Sequence, residues 1–210
     1  MLDCEYILFD LDGTLVDSSR SVDLAWSEWA HSQSLLADDV ICFSRGLKAI
    51  DTMLHFVSED KISSKMLDDF FSRELELAKF TIASPGSAKI LSAIPEWKWA
   101  VVTSAPRLVA EARLVAAELP ISQVMVTAES TTFCKPRPDP YILAAQMLNA
   151  DVIDCLVFED SESGIIAGLA AGMKVIGVGV SQSTAGVAKW IDNFHALQIE
   201  TIRNKIRINF

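Results

Sequence analysis

Two carboxylates two residues apart close the apolar run in "YILFDLDGTLVDS", Tyr6 to Ser18. Ile7, Leu8 and Phe9 lead into Asp10, and Asp12 follows just before Gly13 and Thr14. Crowded carboxylate oxygens repel unless a hard cation bridges them, and Mg²⁺ takes oxygen ligands and shares them with substrate phosphate. Further polar groups follow apolar runs downstream: "WAVVTSA" leads to Thr103 and Ser104, Lys135 sits in "FCKPRPDP", and "CLVFEDS" reaches Glu159 and Asp160. A nucleophile, an acid/base, a hydroxyl pair, a cation and metal ligands together form the inventory of phosphoryl transfer. With Mg²⁺ held by Asp10 and Asp160, Asp10 would attack phosphorus and form an aspartyl-phosphate. Lys135 and the Thr103 hydroxyl would hold the equatorial oxygens where charge builds up. Residues i and i+2 of extended chain point to the same side. Asp12 would therefore reach the leaving oxygen, protonate it, and later take a proton from the attacking water. Gly13 permits the sharp turn after Asp12, and Thr14 is expected to fix that turn with a local hydrogen bond.

Each group taken singly has a plainer role. An isolated D-x-D is commonly a solvated loop, Thr103 and Ser104 suit a helix cap before Pro106, and a lone lysine is usually on the surface. Glu159 and Asp160 suit an N-cap for a helix starting near Ser163. The order of the groups, each at the end of an apolar run, argues for one shared site.

The runs that must carry these groups are "EYILFD", "WAVVTS", "VMVTA", "CLVFED" and "KVIGVGV". Continuous short apolar segments suit strands covered on both faces, as in parallel sheets. Between them "PRLVAEARLVAAEL", "DPYILAAQML" and "SGIIAGLAAG" read as helices. The alternation predicts an α/β, doubly wound parallel sheet, in which ligands bind beyond the carboxyl ends of the strands. From about Asp17 to Ile82 no strand is evident. "SVDLAWSEWAHSQ", "LKAIDTMLHFV" and "KMLDDFFSRELELAKF" are amphipathic and helical, and "ASPGSA" marks the return to the sheet. The expected division is a catalytic core of 1–15 and 83–210, with a small all-helical cap domain, 16–82, inserted after the first strand. The cap loop "FSRGLKAID" is expected to meet the substrate. Arg45 and Lys48 would there bind sugar hydroxyls or a second anionic group, or else be solvated charges at a helix start.

The tail "QIETIRNKIRINF" alternates around Asn204-Lys205 and suggests a hairpin. Gly164, Gly168 and Gly172 share a helix face and are read as close packing against the sheet rather than as a cofactor loop; "GVGV", Gly177 to Val180, is weak as a phosphate loop. The tryptophans are assigned to core packing, with Trp97 and Trp99 alternating into a strand. His31, His55 and His195 are too scattered for a metal site.

The chain has 210 residues, half of them hydrophobic and 22% charged, with a net charge of −10. That length supports one substantial core and a small second module. The acidic balance disfavours nucleic acid and anionic membranes as partners. No segment has the ~18 consecutive apolar residues of a membrane span, and the N-terminus lacks the features of a signal peptide. Cys4, Cys42, Cys134 and Cys155 form no C-x-x-C pair, which suits reduced thiols. The expectation is a cytoplasmic protein, a monomer or weak homodimer.

These motifs resemble those of the haloacid dehalogenase superfamily of phosphohydrolases. "DLDGTLVDS" is similar to its first motif, "VVTS" to the second, "KPRPDPY" to the third and "VFEDSESGIIAGLAAGM" to the fourth. The resemblance covers essentially the whole chain, including a helical cap after the first motif. It implies Asp10 as nucleophile, Asp12 as acid/base, and Mg²⁺ held by Asp10, the Asp12 backbone carbonyl and Asp160, with Glu159 helping through a hydrogen bond or a water. Within the superfamily the chain is similar to small bacterial sugar phosphatases, including hexitol and 2-deoxyglucose-6-phosphate phosphatases. A small phosphorylated sugar or polyol is the implied substrate. β-Phosphoglucomutases share the motifs but carry a His where this chain has Val22, and a cap Ser and Arg where it has Lys48 and Ala49. Those departures argue for a phosphatase over a phosphomutase. The dehalogenases themselves lack the second Asp of the first motif, so Asp12 argues against them, while Lys48 keeps open the Schiff base of a phosphonatase. A non-catalytic binder of the same fold would have no need of Asp12.

Overall fold

In the computed structural model, which describes residues 1–179 and 184–210, the apolar runs form strands. The chain opens with β1 (Leu2–Cys4), β2 (Tyr6–Phe9) and the short β3 (Val16–Asp17). Four helices follow: α1 (Ser19–Ser32), α2 (Ala37–Ser44), α3 (Ala49–Phe56) and α4 (Ser64–Leu77). After β4 (Ile82–Ala83), helices and strands alternate as α5 (Ser87–Ala93), β5 (Trp99–Val102), α6 (Arg107–Ala116), β6 (Val124–Val126), α7 (Asp139–Met147), β7 (Cys155–Glu159), α8 (Glu162–Ala170) and β8 (Lys174–Val178). Three strands end the chain: β9 (Lys189–Ile191), β10 (Gln198–Ile202) and β11 (Lys205–Asn209).

The main sheet runs β6-β5-β2-β7-β8-β9, and every pairing in it is parallel. This is the doubly wound order, in which the winding direction reverses at the first strand. Here that strand is β2, with β5 on one side and β7 on the other. The crevice at this reversal lies beyond their carboxyl ends, where Asp10, Thr103 and Glu159 follow or end the strands.

Alternation along each strand builds the core on both faces. Ile7, Phe9, Trp99, Val101, Leu156 and Phe158 pack with Val109, Ala110 and Leu114 of α6 and with Phe194. Phe9 stacks on Phe158 with ring centroids 5.3 Å apart. Leu8, Ala100, Val102, Val157 and Val175 face the other way, onto Tyr141 and Ala144 of α7 and Ile165 and Ala167 of α8. The helices α1 to α4 hold a third cluster, with Trp26, Trp29, Val40, Met53, Phe70 and Leu77. β3 and β4 pair antiparallel, Val16 opposite Ala83 and Asp17 opposite Ile82, so the outgoing and returning chains lie side by side. The fold is thus a doubly wound α/β core with a helical insertion after its first core strand. No helix among the described residues is long and apolar enough to cross a membrane.

Several elements differ from expectation. α5, β1 and β9 are short and carry too little periodicity to stand out. The hairpin turns at Arg203 and Asn204, one residue earlier than expected, with Arg203 in the left-handed region; β1 joins it to make a three-stranded antiparallel sheet. Trp97 is not a core residue: it lies on a 3₁₀ turn ahead of β5 and is 66% exposed, whereas Trp99 is buried. Val180, the last residue of "GVGV", lies outside the described residues.

Candidate active site

The turn after β2 places both carboxylates on one cavity. Asp10 extends the ladder, donating its backbone N–H to Phe158 O at 3.0 Å. The chain then reverses through bonds from Gly13 N to Val16 O and from Val16 N to Leu11 O. Gly13 has φ +86°, and a Cβ there would collide with the Asp160 carboxylate. Glycine is therefore needed twice, for the turn and for the approach of the β7 loop. The Thr14 hydroxyl does not fix the turn; it is buried without a partner.

Lys135 is buried rather than superficial. Its ammonium donates to Asp10 Oδ1 at 2.6 Å, to Glu159 Oε1 at 2.5 Å and to the Val102 carbonyl at 3.0 Å. Burial alone would lower the Lys135 pKa, but Asp10 and Glu159 more than offset it and hold the group well above its usual value. Glu159 is fully buried, and both its oxygens are occupied. Tyr141 Oη donates to Oε1 at 3.2 Å, while Ser161 N and Oγ each donate to Oε2 at 2.9 Å. Ser161 also caps α8 by accepting from Gly164 N. The cap is therefore Ser161, and neither Glu159 nor Asp160 serves as one.

Asp10, Glu159 and Asp160 bring one oxygen each within 4.8 Å of one another. Three carboxylates against one ammonium leave two negative charges over, the charge of one divalent cation. The strain is visible in the acids. Burial, and then the field of Glu159, push Asp10 well above the usual carboxylate range and Asp160 up to about 7. Asp10 Oδ2 is buried with no hydrogen-bond partner. An all-oxygen, electron-rich cluster with one free buried oxygen fits a hard divalent ion.

Asp12 sits on the same cavity, which Thr103, Ser104, Arg45, Arg113 and Glu74 also line. Ser18 Oγ donates to its Oδ1 at 2.6 Å and Arg113 Nη1 to its Oδ2 at 2.9 Å. Thr103 Oγ1 accepts from Ala105 N at 3.0 Å, and Ser104 Oγ reaches across to the Gly46 carbonyl between α2 and α3 at 2.8 Å. Arg45 pairs with Asp23 at 3.0 Å, half-exposed at the cavity edge. Lys48 departs from expectation: its ammonium donates to Thr131 O at 2.8 Å, and it is not among the cavity-lining residues.

Sequence reasoning passed over Arg113, Glu74, Ser18, Tyr141 and Ser161. Arg113 stands in the buried stripe of α6 beside Val109, Ala110 and Leu114, and Glu74 lies between Phe70 and Leu77 on the buried stripe of α4. A charge at an apolar-face position was the available signal.

Comparison with known proteins identifies the family. The chain is 39% identical over 204 residues to hexitol phosphatase A of Escherichia coli (strain K12), covering 95% of this chain and 94% of that protein. It is 29% identical over 188 residues to glycerol-1-phosphate phosphohydrolase 1 of Saccharomyces cerevisiae, covering 81% and 73%. A crystal structure of β-phosphoglucomutase from Clostridium difficile superposes with a TM-score of 0.82 at 21% identity, covering 93% of each chain, which speaks for the fold alone. Residues 7–178, from within β2 to the end of β8 and so spanning the whole acidic cluster, match the haloacid dehalogenase-like hydrolase family, and the chain belongs to it.

Proposed function

We propose that this enzyme is a Mg²⁺-dependent phosphomonoesterase acting on small sugar or polyol phosphates. The observation that carries the proposal is the convergence of Asp10, Glu159 and Asp160, the first two bonded to the Lys135 ammonium, with Asp10 Oδ2 left unpartnered. The similarity to a hexitol phosphatase over nearly the whole chain supports the substrate class.

Asp10, Asp160 and the backbone carbonyl of Asp12 would hold the ion, and Glu159, its oxygens occupied, would hold Lys135 in place. When bound, Mg²⁺ supplies positive charge that lets an anionic phosphate enter an acidic site. Asp10 attacks phosphorus; the bond to the leaving oxygen breaks, and that oxygen takes a proton from Asp12. Water then attacks phosphorus and gives a proton to Asp12, and the bond to the Asp10 oxygen breaks, freeing phosphate and restoring the Asp10 carboxylate. The Thr103 hydroxyl steadies a phosphoryl oxygen, and Lys135, its three protons held by Asp10, Glu159 and the Val102 carbonyl, adds its positive charge. Residues 16–82 act as the cap, which encloses the leaving group and excludes water. Val22, Trp26, Phe70 and Phe71 give the cavity an apolar wall for C–H faces, and Arg45 and Ser44 offer polar groups for hydroxyls. Val22 on this wall, with Lys48 engaged elsewhere, supports hydrolysis over mutase chemistry, which must grip a second phosphate. Free cysteines and an acidic surface support a cytoplasmic monomer or weak homodimer.

Purified protein should release phosphate from p-nitrophenyl phosphate and from a panel of hexose, pentose and polyol phosphates, with Mg²⁺ and not with EDTA. Asp10→Asn should abolish turnover with an unchanged circular dichroism spectrum. Retained activity in that variant would rule out the covalent route. Isomerisation of a hexose 1-phosphate faster than phosphate release, with bisphosphate added, would favour a mutase.

A further inference from the structure

Arg113 has no part in the mechanism above, yet its guanidinium joins the two halves of the cavity. Nη1 donates to Asp12 Oδ2 at 2.9 Å, and Nη2 donates to Glu74 Oε1 at 2.7 Å. Arg113 lies on α6 of the core and Glu74 on α4 of the insertion, and both side chains are buried. Taking a guanidinium and the Glu74 carboxylate out of water, beside a half-buried Asp12, is a poor way to stabilise a fold. Burial opposes the charge on Glu74 and on Arg113: it pushes Glu74 upward against the pull of Arg113, and it would lower Arg113 but for Asp12 and Glu74. Arg113 Nε is also buried without a partner. The arrangement makes sense if it fixes something. What it touches is the carboxyl group that must face the leaving oxygen.

We propose that Arg113 is a positioning residue for Asp12, and that Glu74 sets Arg113, so that the acid is aimed only while α4 is docked against α6. The inference rests on the reading of Asp12 as the acid/base. With Ser18 on Oδ1 and Arg113 on Oδ2, the rotation of the Asp12 carboxyl is fixed, and each oxygen keeps a second site for a proton or a partner. As an Asp10 oxygen bonds to phosphorus, the phosphorus–oxygen bond to the leaving group breaks with its electron pair on that oxygen. The oxygen takes the Asp12 proton, leaving an alcohol, an aspartyl-phosphate and an Asp12 carboxylate. An alkyl leaving group would depart as a strongly basic alkoxide and needs that proton. p-Nitrophenolate is stable without it. Misaiming Asp12 therefore slows the first step much more for alkyl than for aryl phosphates, whereas a merely structural defect slows both alike.

The test compares kcat/KM, which stops at the first irreversible phosphoryl transfer, for a hexitol phosphate and for p-nitrophenyl phosphate. Arg113→Met should lose on the order of 10²-fold on the hexitol phosphate, the worth of a general acid, and at least about tenfold less than that on the aryl ester. Arg113→Lys, which keeps a cation with one donor on Asp12, should recover part of the alkyl rate. Glu74→Gln keeps the shape and an acceptor for Nη2, and should show the same bias in smaller measure. If Arg113→Met fails to fold, the ratio in Glu74→Gln decides. Equal losses on both substrates, with an active wild type, overturn the proposal and leave the phosphatase reading standing. A wild type that hydrolyses neither substrate overturns both.

Discussion

Asp10 carries a sharp conflict, since its carboxylate is buried beside Glu159 and Asp160, with Lys135 the cation bonded to it among the described residues. The sign of the resulting pH dependence follows from Asp160, raised from 3.8 to about 7. Between those values the folded state holds protons that the unfolded chain releases, so stability present at low pH is lost as pH rises towards 7. In EDTA the melting temperature should fall from pH 4 to pH 7, and added Mg²⁺ should raise it more at pH 8 than at pH 5. An equal Mg²⁺ shift at both pH values would mean that these acids do not hold the ion. Gly13→Ala places a methyl group on the Asp160 carboxylate and strains a left-handed φ, by about 1–2 kcal/mol for the backbone alone. Calorimetry should show that loss together with the disappearance of the Mg²⁺ shift; a variant with wild-type Mg²⁺ response would contradict the placement. Asp10, Asp12 and Asp160 stood out in the sequence because each lies at or just past the end of an apolar run, and Lys135 because it precedes a run of prolines. Arg113 and Glu74 could not be read so directly: a lone charge within an apolar stripe looks like a flaw in the pattern until a partner from a distant helix is known.

The helix α8 shows how an element can be right in type and still hide its reasons. Its glycines recur every fourth residue, and close packing was the expected cause. Gly168 fits that reading, with Val175 and Val157 against it. Gly164 fits it too, and the part of the sheet it lies against is the Glu159 carboxylate at the end of β7, which a Cβ there would overlap. Gly172, just past the helix, has φ +79° and room for a Cβ, with Val152 Cγ2 3.9 Å away, which makes it a helix-end requirement. Gly164→Ala should therefore cost activity well beyond its effect on melting temperature, by displacing Glu159 from Lys135. Gly172→Ala should cost about 1 kcal/mol of stability and little activity. Reversal of that order in phosphate-release assays would contradict the assignment. The parallel strands were readable because burial on both faces makes them uniformly apolar. β1 and β9 were not, since three residues carry no period, and the partner of β1 lies at the far end of the chain.

At the scale of the whole molecule, the three apolar clusters divide by chain segment. The two that flank the sheet draw on residues up to Val16 and from Ala83 onward, and the third lies entirely between Val22 and Phe80. That segregation follows from the gap in strand signals between Asp17 and Ile82, so the broad plan was accessible from sequence. The polar ties between the parts were not: Ser104 to Gly46, Lys48 to Thr131 and Arg113 to Glu74 join residues 39 to 83 positions apart. The β3–β4 ladder has a further consequence. Because Val16 and Ala83 face each other across a single rung, the sheet does not dictate the length or make of what hangs beyond them. Grafting the corresponding segment of a relative with another preference onto these two feet should transfer that preference, provided the graft brings a carboxylate to the place where Glu74 meets Arg113.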